Sequence, residues 1–142
     1  EQLLNAQVQC ALATQGEAAP ALHLMAYAVS DDLGDILVAS RADTTKVRNM
    51  RNRPAVALLW DNRTGLLADH VEGAVLTARA HARELSGAER SAAVSALTSR
   101  NPNMGELLST PTTAVFALAV EESGIGIGYN DHQHHAPRRG AS

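Results

Sequence analysis

Residues 36–60 are ILVASRADTTKVRNMRNRPAVALLW, the stretch that decides the fold. Its two apolar runs, 36–39 and 55–60, have the length and the aliphatic content of β-strands, and the second is continuous enough to predict a strand buried on both faces. Between them, residues 43–53 keep the apolar spacing of a helix, begin with residues that favour a helix cap and stop at Pro54. The stretch therefore predicts strand, polar loop, short helix and strand.

The region before this stretch has the pattern of an antiparallel meander. Two apolar segments, 8–14 and 22–29, are separated by a Gln-Gly-Glu turn at 15–17. A second turn at 31–35, rich in aspartate and glycine, precedes the strand at 36–39. The first third of the chain is therefore predicted to contain three strands.

The region after it adds strands and one more helix. Residues 71–84 have the length of a long, bent strand. Ser86 and Glu89 form a capping-box pattern that predicts a helix as far as about residue 99. Residues 112–121 have the pattern of a central strand, and a further strand is expected at 125–129 after a turn.

These elements predict a mainly β (α+β) fold, a six-stranded antiparallel barrel with two short helices. The strands and helices do not alternate regularly, as they would in a parallel nucleotide-binding sheet. We expect residues 1–130 to form a single domain, because 142 residues suffice for one core only. The polar segment 131–142 is expected to be a disordered tail.

Composition excludes several classes of function. The net charge of −3 and the pI near 6.1 argue against a nucleic-acid surface. The apolar runs are too short to cross a bilayer and no export signal opens the chain, so a cytoplasmic protein without membrane contact is expected. The single cysteine, Cys10, has apolar neighbours that favour a buried strand position. Motifs of hydrolases and nucleoside triphosphatases are absent from the sequence.

The loop between the strand and the helix of residues 36–60 has the chemistry of an anion site. A helix start presents free amides and a partial positive charge. Hydroxyls of Ser40, Thr44 and Thr45 and the cations of Arg41 and Lys46 stand beside it. A terminal phosphate group is the ligand that this combination predicts.

The order of these pieces resembles the pyridoxamine 5'-phosphate oxidase family. In that family a strand, a Ser/Thr-Arg-Lys loop and an Asn-Pro before an apolar strand recur, as in residues 36–60. PALHLM at 20–25 is similar to the family's second strand, and LTARAHARELS at 76–86 to its long strand. The resemblance covers residues 8–129. It implies a six-stranded split barrel that forms a homodimer, with FMN in a groove between the subunits.

The resemblance also implies site residues. It places the FMN phosphate at the anion site and the isoalloxazine ring beside His23, Leu24 and Met25. The segment 61–63 after the fourth strand is similar to one that returns to the dimer seam in some members, and there Arg63 would neutralise charge at the pyrimidine edge of the ring. The implied cofactor-binding residues are His23, Leu24, Met25, Ser40, Arg41, Thr44, Thr45, Lys46, Asn62 and Arg63.

The function that this implies is an FMN-dependent oxidoreductase acting on an unidentified small molecule. The pyridoxamine phosphate oxidases themselves have a C-terminal Arg-x-His that engages substrate. Here Asn130 stands two residues before His132, so oxidation of pyridoxamine phosphate is not expected. No catalytic residue is assigned from the sequence.

Four alternatives stay open. The same barrel could serve as a non-catalytic flavin or electron-carrier module, bind a deazaflavin, or bind haem through an axial histidine, for which His23, His70 and His81 are the candidates. It could also have lost its cofactor and serve as a binding scaffold. The histidines at 132, 134 and 135 lie in the segment expected to be a disordered tail, so no metal site is predicted there.

Overall fold

The computed structural model describes residues 1–32, 34–128 and, for the backbone alone, 131–135. Within these residues the helices α1 to α5 are Gln2–Ala6, Thr45–Asn52, Asp69–Glu72, Gly87–Arg100 and Gly105–Ser109, and Pro102–Met104 is a 3-10 helix. The strands β1 to β8 are Gln9–Gln15, Pro20–Ala26, Ala28–Val29, Asp35–Arg41, Ala55–Asp61, Ala74–Glu84, Thr113–Ile127 and Asp131–His135.

The strands form one antiparallel sheet that curls into a half-barrel. Their order is β2-β1-β5-β6-β7-β4-β3, and β8 pairs with β7 outside this path. The predicted mainly β, split-barrel fold is confirmed. The described residues contain seven strands in the continuous order and an eighth beside it, where six were predicted. The excess comes from the two-residue β3 and from β8.

The interior of the half-barrel holds the larger apolar core. Trp60, Tyr27 and Phe116 are each 2% exposed or less, and the Tyr27 and Trp60 rings meet edge to face at 5.6 Å between centroids. Helix α2 packs on this core through Val47 and Met50, as their spacing predicted. Burying side chains of this size stabilises the fold by about 1.5–3 kcal/mol each. This packing fixes α2, and with it the predicted anion site, against the barrel.

A second core lies on the other side of β4 and β7, beneath α4. There Ala93 and Leu97 of α4 pack with Leu37 and Val115 of the sheet. Strands β4 and the start of β7 are therefore buried on both faces. The prediction that residues 55–60 are buried on both faces is wrong: β5 alternates in burial, because its outward residues Ala57 and Leu59 line a groove that is open to solvent.

The predicted turn at 122–124 does not form. These residues continue β7, where Glu122 pairs with Arg79 and Gly124 pairs with Thr77 of β6. The register of the two strands shifts between Arg79 and Ala80, which is a β-bulge. One long strand therefore replaces the two that were expected. The β-bulge accommodates an extra residue in β7, so the polar segment stays paired with β6 and the chain does not turn back.

The chain after β7 also differs from expectation. Residues 131–135 were expected to begin a disordered tail, but they form β8, which pairs with residues 123–127 of β7. Gly128, at φ 59°, stands where a Cβ would lie 2.6 Å from the carbonyl oxygen of Val71, so only glycine fits. Residues 33, 129, 130 and 136–142 lie outside the described residues.

Two local expectations change as well. The long strand begins at Ala74 instead of residue 71, because residues 69–72 form α3. Ser86 is the N-cap of α4 as predicted, but its side chain makes no capping hydrogen bond, and Glu89 instead pairs with Arg83 at 3.0 Å. In the described part of the chain, no helix has the length and apolarity that a bilayer crossing requires.

Candidate functional site

The start of α2 has no side-chain cap. Thr44 occupies the N-cap position with an extended backbone, φ −91° and ψ 156°. Its hydroxyl donates to the Arg41 carbonyl oxygen at 2.9 Å and lies 3.2 Å from the Ser40 hydroxyl, so it does not accept from the first helical amides. Those amides are left for another acceptor, which at a helix start is preferably an anion.

The charges around this helix start favour an anion. The first turn of α2 contains no acidic residue, and it contains Lys46, whose side chain is half-buried. Arg41 is bound to Asp43 at 2.9 Å in a pair whose side chains are 73% and 69% exposed. The structure thus brings together four of the five residues predicted for a phosphate, Ser40, Thr44, Thr45 and Lys46. We call this set, with the free amides, the α2 anion site.

His23 of β2 is linked to α2 by two hydrogen bonds that pass through Thr14 and Asn49. Burial and the nearby positive charge of Lys46 both lower the pKa of His23. The Nε2 atom of His23 is 3.0 Å from the Thr14 hydroxyl oxygen, which accepts a hydrogen bond from Asn49 at 2.9 Å. Thr14 and Asn49 were not predicted from the sequence. Asn49 is a polar residue beside the apolar Met50 in the predicted helix, and this position could have indicated a buried amide that needs a hydrogen-bond partner.

The residues predicted to flank a ring are divided between the two faces of β2. His23 and Met25 point to the interior, and Met25 is 5% exposed within the core. Leu24 points outward and is 67% exposed, as is Leu22 at 79%. Adjacent residues of a strand face opposite sides, so the three side chains do not meet at one surface.

The outer face of the sheet carries a groove of about 610 Å³. It crosses β2, β1, β5, β6 and β7 and is mostly apolar. We call it the outer groove; its lining includes Ala11, Ala13, Leu22, Ala57, Leu59, Arg63, Thr77, Arg79, Glu122 and Gly124. An ion pair between Arg79 and Glu122 supplies charge within it.

Arg63 lines the outer groove, but Asn62 does not. The guanidinium of Arg63 pairs with Asp61 at 2.8 Å and its side chain is 74% exposed. Asn62 uses its side-chain oxygen to accept from the Ala74 amide at 2.7 Å, which closes the turn after β5. Of the two residues predicted at the seam, only Arg63 is placed to meet a ligand in the groove.

The donors of the α2 anion site fit a phosphate, because hydroxyls, helix amides and an ammonium group are the groups that hold one. The outer groove is a separate feature whose apolar lining suits a planar ring. Burial raises the pKa of Cys10 to about 12, so its thiol is inert in the folded chain, in line with the predicted buried position. Within residues 1–32 and 34–128, no three potential ligands are grouped closely enough to hold a metal ion. His70 and His81 are both exposed.

Comparison with solved structures finds the same fold in proteins of low sequence identity. A haem-binding protein of Mycobacterium smegmatis is 17% identical with a TM-score of 0.82, covering 95% of this chain, which spans 55% of that protein's length. The haem storage protein of Vibrio cholerae is 15% identical with a TM-score of 0.76, over 89% of each chain.

A third structure links the fold to a named family. It is a protein of Clostridium acetobutylicum related to general stress protein 26 of Bacillus subtilis, described as of the pyridoxine phosphate oxidase family. It is 13% identical with a TM-score of 0.72, covering 95% of this chain and 89% of that one. No curated protein matches the chain. Residues 1–123 match the pyridoxamine 5'-phosphate oxidase family, a span that covers β1 to β6, most of β7 and the α2 anion site. The chain therefore belongs to the pyridoxamine 5'-phosphate oxidase family.

Proposed function

We propose that this protein is an FMN-binding oxidoreductase whose flavin lies where two copies of the chain meet. The observation that supports this most is the uncapped start of α2, with Lys46, Ser40 and Thr44 around it. Family membership makes a flavin phosphate the anion that this site is expected to hold.

Each part of the site has a separate role in this proposal. Lys46 and the amides of α2 hold the phosphate and supply most of the charge-dependent affinity. The hydroxyls of Ser40 and Thr44 orient it. Arg63, at the edge of the outer groove, would stabilise negative charge on the reduced flavin ring and so raise the reduction potential of the flavin. The flavin itself, when bound, accepts electrons from a small-molecule donor.

The homodimer is supported by the apolar outer face of the sheet. Leu22 and Leu24 are 79% and 67% exposed in the single chain, next to the alanines and leucine that line the outer groove. A contiguous apolar face of this kind is uncommon on a monomer and is typical of a protein interface. A second copy of the chain covering this face would bury both leucines and enclose the groove.

The test is an FMN titration of the purified protein, read by quenching of flavin fluorescence and by thermal stability. We expect saturable quenching and a higher melting temperature, because a ligand that binds only the folded state stabilises it. Neither effect at saturating FMN would overturn the proposal. Bleaching of the bound flavin by a reduced donor at a useful rate then separates an oxidoreductase from a non-catalytic carrier.

Haem is the second candidate, and His23 is the residue that favours it. Its low pKa keeps the imidazole neutral, the form that binds iron. Its Nε2 is engaged by Thr14, however, so ligation through that atom requires loss of this hydrogen bond. The absorbance spectrum of protein purified without added cofactor discriminates: flavin bands support the proposal, a Soret band selects haem, and a deazaflavin spectrum selects that group.

A further inference from the structure

A chain of three buried or half-buried polar side chains connects α2 to β2. Asn49 donates to the Thr14 hydroxyl oxygen at 2.9 Å, and that oxygen lies 3.0 Å from Nε2 of His23. Asn49 is 6% exposed and Thr14 is 1% exposed. Burying an amide and a hydroxyl in an apolar core is costly unless each is paired. The presence of Asn49 and Thr14 in the core, where apolar residues would pack at no such cost, therefore suggests a role for this series of hydrogen bonds.

The hydrogen-bond roles along the chain determine which nitrogen of His23 carries the proton. The Thr14 oxygen accepts from Asn49, and its own hydroxyl proton, being buried, needs an acceptor. Among the side-chain hydrogen bonds of the described residues, Nε2 of His23 is the acceptor within reach. This pairing favours an unprotonated Nε2, with the proton of the neutral ring on Nδ1.

The Nδ1 atom is available to a ligand. The described residues supply no hydrogen-bond partner for it, and the His23 side chain is half-buried rather than enclosed in the core. The positive charge of Lys46 acts on the same ring. Lys46 stands three residues before Asn49 in α2 and so shares its face, which puts the ring that Asn49 reaches through Thr14 on the side of α2 that carries Lys46.

We propose that Asn49 and Thr14 are positioning residues that hold His23 as the Nδ1–H tautomer, so that His23 donates a hydrogen bond to the phosphate that Lys46 binds. This rests in part on the proposed function, because the phosphate is taken to be that of FMN. The tautomer of His23 depends only on residues of the protein and not on a bound cofactor. Such a donor suits phosphate oxygens, which accept several hydrogen bonds at once.

The tautomer is measured on the protein without cofactor. Nitrogen chemical shifts and two-bond couplings of the His23 ring, recorded above its pKa, are expected to show Nε2 as the unprotonated atom. Thr14→Val, which keeps the shape and removes the hydroxyl, is expected to shift the ring towards the Nε2–H form. Thr14→Ser keeps the hydroxyl and should keep the wild-type pattern. A wild-type ring with its proton on Nε2 would overturn the inference, even where Thr14→Val fails to fold.

The ligand role is measured with FMN and riboflavin, which differ by the phosphate. If His23 donates a hydrogen bond to the phosphate, His23→Phe should weaken FMN binding roughly tenfold more than it weakens riboflavin binding. An equal loss for both ligands, or no loss for either, would overturn the assignment to the phosphate. A wild-type protein that binds neither would overturn the proposed function and this ligand role, while the tautomer result would stand on its own.

Discussion

The imidazole of His23 makes stability depend on pH. Its pKa is lowered in the folded state by burial and by Lys46, so the unfolded chain binds a proton more readily near pH 6. The neutral ring stabilises the fold at pH values above the pKa of His23 in the unfolded chain, near 6.5. This contribution is lost as the pH falls through the lower pKa of His23 in the folded protein. Melting temperatures between pH 5 and 8 should fall less steeply towards acid for His23→Phe than for wild type. Parallel curves would contradict this assignment.

Cys10 offers a separate check at the same scale. Because burial raises the pKa of its thiol to about 12, a disulfide reagent should not label the folded protein at pH 8. Labelling should follow at once in denaturant. Rapid labelling of the native protein would mean that β1 opens far more often than its position in the core implies.

Helix α1 is held to the barrel by Arg100 of α4. A guanidinium nitrogen of Arg100 donates to the carbonyl oxygens of Leu4 and Gln7, and the group stacks over the Tyr27 ring at 4.6 Å. Five residues are too few for an independent helix. Arg100→Met should therefore leave the apolar packing largely in place but release α1, seen as faster hydrogen exchange of the Asn5 and Gln7 amides, which bond to the Glu1 and Leu3 carbonyl oxygens. Arg100→Lys is expected to retain part of the protection, and unchanged exchange in Arg100→Met would contradict this role.

At the scale of the elements, local sequence patterns predict some parts of the structure and not others. Strand β4, helix α2 and strand β5 follow from local spacing, because Val47 and Met50 must face a core whichever neighbours supply it. The single long β7 does not follow, because the pairing of Glu122 with Arg79 compensates for a polar, glycine-containing segment only once β6 is alongside. The part played by Thr14 likewise depends on contact with Asn49, 35 residues away in sequence.

At the scale of the whole molecule, the exposed apolar face predicts self-association. Leu22→Glu puts a charge in the outer groove, where burial of one leucine side chain is worth about 1.5–3 kcal/mol. Sedimentation should show a dimer for wild type and mostly monomer for Leu22→Glu. Ser95→Glu, on the exposed side of α4, is the matched control and should stay dimeric. A wild-type monomer at high concentration would contradict the dimer.

The most direct test of the α2 anion site is the FMN affinity of Lys46→Glu measured against Arg53→Glu. Each variant reverses one positive charge of α2. Lys46 lies in the first turn of the helix, whereas Arg53 is the C-cap at the opposite end. We expect Lys46→Glu to lose at least roughly tenfold in FMN affinity at equal ionic strength, and Arg53→Glu to stay close to wild type. Equal affinities for wild type and Lys46→Glu would contradict the site.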